Sequence, residues 1–182
     1  MYHIKKDKRQ QESAVRLMKG LTECLQTNKM SDISVSELCL NSGVSRSTFY
    51  RMFDTPIDLL EYTSNYYIEK AIADYSTEVF KTEDDFVMYT LMYWKNHTDI
   101  FEAIINCRRI DIIQKSFEDH SEMLVPMLEN NFTEDELAYV RAAAAGLITS
   151  LLSLWIARGK KETPAQLFEI YRKCSMFRMN QD

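Results

Sequence analysis

SVSELCLNSGVSRSTFYRMF, residues 34–53, is the stretch from which the rest of the chain can be read. Val35, Leu38 and Cys39 recur at i, i+3 and i+4, the spacing of one apolar face on a short helix. Asn41-Ser42-Gly43 then interrupts the pattern with residues that accept turn dihedrals, and Gly43 is the position free to take a positive φ. Ser45 is placed to cap a second helix, whose Phe49, Met52 and Phe53 again fall at i, i+3 and i+4 and point inward. Arg46, Ser47, Tyr50 and Arg51 are left on the outer face. That face carries hydrogen-bond donors, two guanidinium groups and no acid, which suits a groove lined with phosphates and base edges. Two amphipathic helices of an ordinary bundle would balance the charge and show fewer hydroxyls.

The run resembles the DNA-binding helix-turn-helix of the TetR/AcrR family of one-component repressors. The residues that carry the resemblance are Cys39, Gly43, Val44, Ser45, Thr48, Phe49, Tyr50 and Phe53, about thirty residues into the chain and behind one helix. It implies an all-α fold of about nine helices, with a three-helix DNA-binding module over residues 1–53 and a helical ligand-binding and dimerisation domain over 54–182. It also implies a homodimer on a palindromic double-stranded DNA operator, released by a small-molecule effector. Ser34, Ser45, Arg46, Ser47, Thr48, Tyr50 and Arg51 are the residues expected at the DNA. In one respect the chain departs from the pattern. Where the family often has a phosphate-binding Lys, this segment has Asp54 and Pro56, which removes one backbone contact.

Composition agrees with a helical reading. Of 182 residues 46% are hydrophobic, against only four Gly and three Pro, and no alternating Val/Ile/Thr run predicts a sheet. The net charge of −5 is unevenly spread: residues 1–53 hold nine Lys and Arg against five acids, while the remainder is strongly acidic. A basic first third on an acidic body is the layout of a nucleic-acid reader whose remainder does something else. Cys24, Cys39, Cys107 and Cys174 are dispersed, so neither a disulfide framework nor a zinc module is expected. With no signal peptide recognised, the cytoplasm is the expected compartment. The run Ala142–Ala157 has 16 residues, short of the roughly 20 that span a bilayer, so it reads as a buried helix and no membrane partner is expected.

Outward from the motif, an apolar stripe of Ala14, Leu17, Met18, Leu21, Cys24 and Leu25 predicts a helix from Lys8 to about Gln26. Lys5, Lys6, Lys8 and Arg9, which precede or open it, could meet phosphates or a minor groove or stay a solvated tail. Thr55-Pro56-Ile57-Asp58 combines a cap, an N1 proline and an N3 acid, and predicts a long helix to about Phe80. Thr82 to Asp85, Thr133 to Glu136 and Thr163 to Gln166 open further helices by the same logic, and Pro126 should kink or end one between them.

The central helices are rich in aromatic and sulfur side chains. Tyr62, Tyr66, Met88, Tyr89, Met92, Trp94, Phe101, Phe117 and Met123 could line an apolar pocket with His120 as a polar anchor, or simply form core. His97 and His120 with Cys107 and Asp111 lack metal-ligand spacing, and no metal or other cofactor is expected. The last two helices carry more apolar surface than one small domain hides. The resemblance assigns Ala144, Leu147, Ile148, Leu151, Trp155, Leu167, Ile170, Tyr171 and Cys174 to a two-fold dimer interface, with an intramolecular core as the alternative. No phosphate loop, nucleophile elbow or paired-carboxylate motif marks an enzyme. The competing function is a co-regulator or protein-interaction module of the same fold with weak DNA binding of its own.

Overall fold

Helix ends are written into this sequence as short reciprocal hydrogen bonds, and the fold follows from where they fall. The computed structural model describes residues 2–4, 7–75, 82–119 and 132–176, and among these nine α-helices and no strand are present. α1 spans Lys8–Leu25, with the Asp7 side chain accepting from the Arg9 N–H. After a 3-10 turn at Met30–Asp32 come α2 (Val35–Ser42) and α3 (Arg46–Met52), each capped by the serine before it. α4 (Pro56–Tyr75) starts where Thr55 and Asp58 exchange hydrogen bonds. α5 (Glu83–Asn96) and α8 (Glu134–Ala157) open on capping boxes at Thr82/Asp85 and Thr133/Glu136. Between them lie α6 (Thr98–Asn106) and α7 (Asp111–Asp119), and α9 (Pro164–Met176) follows the reciprocal Thr163–Gln166 pair. The expected extension to Val79 and Phe80 and the break at Pro126 lie outside the described residues.

By compactness the described residues divide into two units, one holding those up to Tyr67 together with Asp99–Arg109, the other those within Ile68–Thr98 and from Ile110 onward. α4 begins in the first and ends in the second. The first half of α4 and the whole of α6 cluster with α1, α2 and α3.

In the first unit α1 packs most extensively on α2. Gly20 permits it: a Cβ there would stand 3.1 Å from both the Cβ and the backbone nitrogen of Ser42. Leu17, Leu21, Leu38, Phe49, Met52 and Phe53 are fully buried. Residues 2–4 do not hang free. Tyr2 forms an antiparallel bridge with Phe53, the His3 N–H donates to the Met52 carbonyl at 2.8 Å, and the Tyr2 ring lies edge-on to Tyr62 at 5.3 Å.

In the second unit α9 packs on α5 and α7 on α8. Leu137, Ala145, Ile148, Leu152 and Trp155 form the buried stripe of α8. Among the described residues this is the one helix long and apolar enough to cross a membrane, over Asp135–Ala157. It exceeds the 16-residue run seen in the sequence because its capped, charged first turns continue the same helix.

Candidate nucleic-acid interface

Two helices and one tight turn make the candidate surface. Gly43, at φ 64°, ends α2 in the left-handed conformation and lets the chain reverse into Ser45. The Ser45 hydroxyl accepts from the Thr48 N–H at 3.2 Å, donates to the Thr48 hydroxyl at 2.9 Å and lies 3.0 Å from that of Ser47. With only seven residues, α3 depends on this cap and on the complete burial of Phe49 and Met52 for its order. The Tyr2–Phe53 bridge fixes its far end.

The opposite face is open. Arg46, Ser47, Tyr50 and Arg51 are exposed, Tyr50 to 56%, and α3 contains no acid. Phe49 beneath supports the Tyr50 ring edge-on at 5.5 Å. Arg46 does not project straight outward: its Nη2 donates to Ser36 Oγ on α2 at 2.5 Å. Burial pushes the nearby Cys39 thiol up, with Arg46 acting in the opposite direction. Ser34 is exposed and its hydroxyl accepts from the Glu37 N–H at 3.2 Å, so it serves as the cap of α2. Thr48 is half-buried. Asp54 lies 3.6 Å from His3, a contact that becomes an ion pair when the imidazole is protonated.

Of the residues expected at the DNA, Arg46, Ser47, Tyr50 and Arg51 therefore share one exposed helix, whereas the hydroxyls of Ser34, Ser45 and Thr48 are engaged in capping. Ser36 was missing from that set. Its exposed place on α2 is legible in the sequence, but its bond to a residue ten positions on is not. Lys5 and Lys6 lie outside the described residues, and Lys8 and Arg9 are exposed on the first turn of α1.

The described members of the expected ligand set are divided between the two units. Tyr62, Tyr66 and Phe101 belong to the first unit: Tyr62 lies against Tyr2 and Phe53, Tyr66 is exposed, and Phe101 is buried. Met88, Tyr89 and Met92 line an open groove of about 420 Å³ along α5 with Asp85, Tyr93 and Asn96. Trp94, on the same helix, is buried, and the Phe117 side chain, His120 and Met123 lie outside the described residues. The His97 ring sits 4.6 Å from that of Tyr93. Burial pushes the Cys107 thiol up although Arg109 opposes it, which works against a reactive thiolate.

In the dimer set, Ile148, Trp155, Leu167 and Tyr171 are buried within the protomer, and the Trp155 indole donates to the Glu162 carbonyl at 2.9 Å. Leu147 and Leu151 are half-buried, while Ile170 and Cys174 are exposed, as is Leu154, which lies outside the expected set. The Ala144 side chain lies outside the described residues.

No family model and no curated protein matches the sequence. Solved structures do match in fold. Lin0861 from Listeria innocua superposes with a TM-score of 0.75 at 20% identity, over 96% of this chain and 95% of that one. A TetR transcriptional regulator from Rhodococcus sp. RHA1 gives 0.63 at 18% identity, over 96% and 100%. The fatty acid degradation regulator FadR from Bacillus halodurans gives 0.61 at 13%, over 93% and 95%. At these identities the likeness is one of architecture: this chain has the all-α fold of TetR-type regulators.

Proposed function

We propose that the chain is a DNA-binding transcriptional regulator, a homodimeric repressor that reads a palindromic operator through α3 and releases it when a small molecule binds the helical body. One observation carries the reading: α3 buries Phe49 and Met52 completely while presenting Arg46, Ser47, Tyr50 and Arg51, without an acid, to solvent. A helix of this size fits the major groove, where guanidinium, phenol and hydroxyl groups can meet phosphates and base edges. The shared architecture with a protein described as a TetR transcriptional regulator supports it.

Within this reading Arg46, Ser47, Tyr50 and Arg51 touch the duplex, and Ser34, Ser45 and Thr48 hold the helices in the pose that lets them. Residues 1–53 supply the reading head and 54–182 the regulatory body. The effector is an apolar or flat molecule that engages the Met88, Tyr89 and Met92 face of α5. Pairing through α8 and α9 presents two heads to successive major grooves, about 34–36 Å apart, so a displacement of a few Å suffices to release DNA.

The test is a gel-retardation titration of the purified protein on an inverted repeat from its own upstream region. Retardation should weaken steeply as salt rises, and Tyr50→Ala should weaken it about tenfold or more with helicity unchanged. Absence of retardation at low salt would overturn the proposal, and retardation only after a second protein is added would favour the co-regulator reading.

A further inference from the structure

Arg46 and Tyr50 share the exposed face of α3, yet only Arg46 is tied to another helix. Its Nη2 donates to Ser36 Oγ at 2.5 Å, which carries the guanidinium across the turn onto the first turns of α2. Ser36 and Arg46 are both exposed, so the contact lies at the surface. Glu37, the acid next to Ser36 in sequence, accepts instead from the Asn28 amide at 2.7 Å.

Building on the DNA-reading function proposed above, we infer that Ser36 is a positioning residue that holds Arg46 as a phosphate clamp rather than a base reader. In a helix-turn-helix the first helix crosses the sugar-phosphate backbone, whereas base edges are met by the helix lying in the groove. A guanidinium drawn to α2 is therefore aimed at backbone. It has five N–H donors in a rigid fork, and the bond to Ser36 leaves enough of them for a bidentate phosphate contact. A neutral hydroxyl suits this role, since an acid at position 36 would neutralise the charge before DNA arrives. Ser47, Tyr50 and Arg51 are then left as the residues that discriminate sequence.

The experiment is a double-mutant cycle on the full-length protein, using the retarded operator fragment, a panel of its single-base variants and a salt series. Arg46→Ala should weaken binding about equally across the panel and reduce the salt slope by about 1, the signature of one lost phosphate contact. Ser36→Ala should weaken binding about two- to fivefold, on the scale of one exposed hydrogen bond, and have no further effect once Arg46 is alanine. Ser36→Thr should restore the parent affinity. Independent, multiplicative effects of the two alanines, or an Arg46→Ala variant that loses discrimination at one base pair with its salt slope unchanged, would overturn the inference while leaving the regulator intact. A parent protein that retards no fragment would instead remove the function on which it rests.

Discussion

At the scale of single residues, Gly43, Arg108 and Asp58 show how backbone conformation and charge set stability. Gly43 and Arg108 both sit in the left-handed region, at φ 64° and 56°, each closing a helix. Nothing lies within 4 Å of a Cβ added at Gly43, so Gly43→Ala should cost only the conformational strain, about 1 kcal/mol. Arg108 already bears that strain after α6, where its N–H donates to the Ile105 carbonyl and that of Arg109 to Ile104. Arg108→Gly should accordingly raise the thermal midpoint while Gly43→Ala lowers it, which paired melting curves would check. Asp58 tests charge. Burial acts to raise its carboxyl, but the hydrogen bonds it accepts, those from Thr55 among them, outweigh that and hold it below the ordinary carboxylate range. A carboxyl that titrates lower when folded stabilises the fold above its unfolded pKa, and the benefit disappears as pH falls through the folded value. Asp58→Asn should lose about 1 kcal/mol at neutral pH. The gap between parent and variant melting curves should close as pH drops below the usual range for Asp, and a gap that stayed constant would refute the cause.

At the scale of elements, α3 is the most dependent on its ends. Ser45→Ala removes its cap and should destabilise the first unit by about 1 kcal/mol. If instead it left the melting curve untouched and abolished DNA retardation, Ser45 would be a contact residue rather than a brace. Capped helices such as this one account for what was legible in the sequence. Ser34, Ser45, Thr55, Thr82, Thr133 and Thr163 each bond a partner three residues on, so a tetrapeptide contains the whole signal. The outer face of α3 was legible for the same local reason, helical spacing. Pairings across the chain left no such mark. Tyr2 finds Phe53 and Asn65, Gly20 finds Ser42, Arg46 finds Ser36, and α6 joins the first unit although it follows α5 in sequence. Aromatic character alone likewise does not say which unit buries Phe101.

At the scale of the whole molecule, the dimer proposed above requires a face of α8 and α9 that a second copy can cover, because two heads are needed to read a palindrome. Burial within one protomer narrows the choice. Trp155 is 4% exposed and its indole holds the Glu162 carbonyl, so a charge there would attack the fold of the second unit before it reached any partner. Leu154, next to it, is 59% exposed and Ile170 is 40% exposed, large apolar groups that a partner could cover. Leu154→Asp and Ile170→Asp should therefore shift the protein toward monomer in size-exclusion chromatography with light scattering, keeping full helicity. Trp155→Asp should lose helicity and melt early at any concentration. A monomeric head makes half the contacts, so both surface variants should also bind the operator far more weakly, and their binding curves should become steeper in protein concentration as assembly is coupled to DNA. If Leu154→Asp and Ile170→Asp eluted as the parent does and bound the operator normally, the pairing surface would have to be sought on other helices.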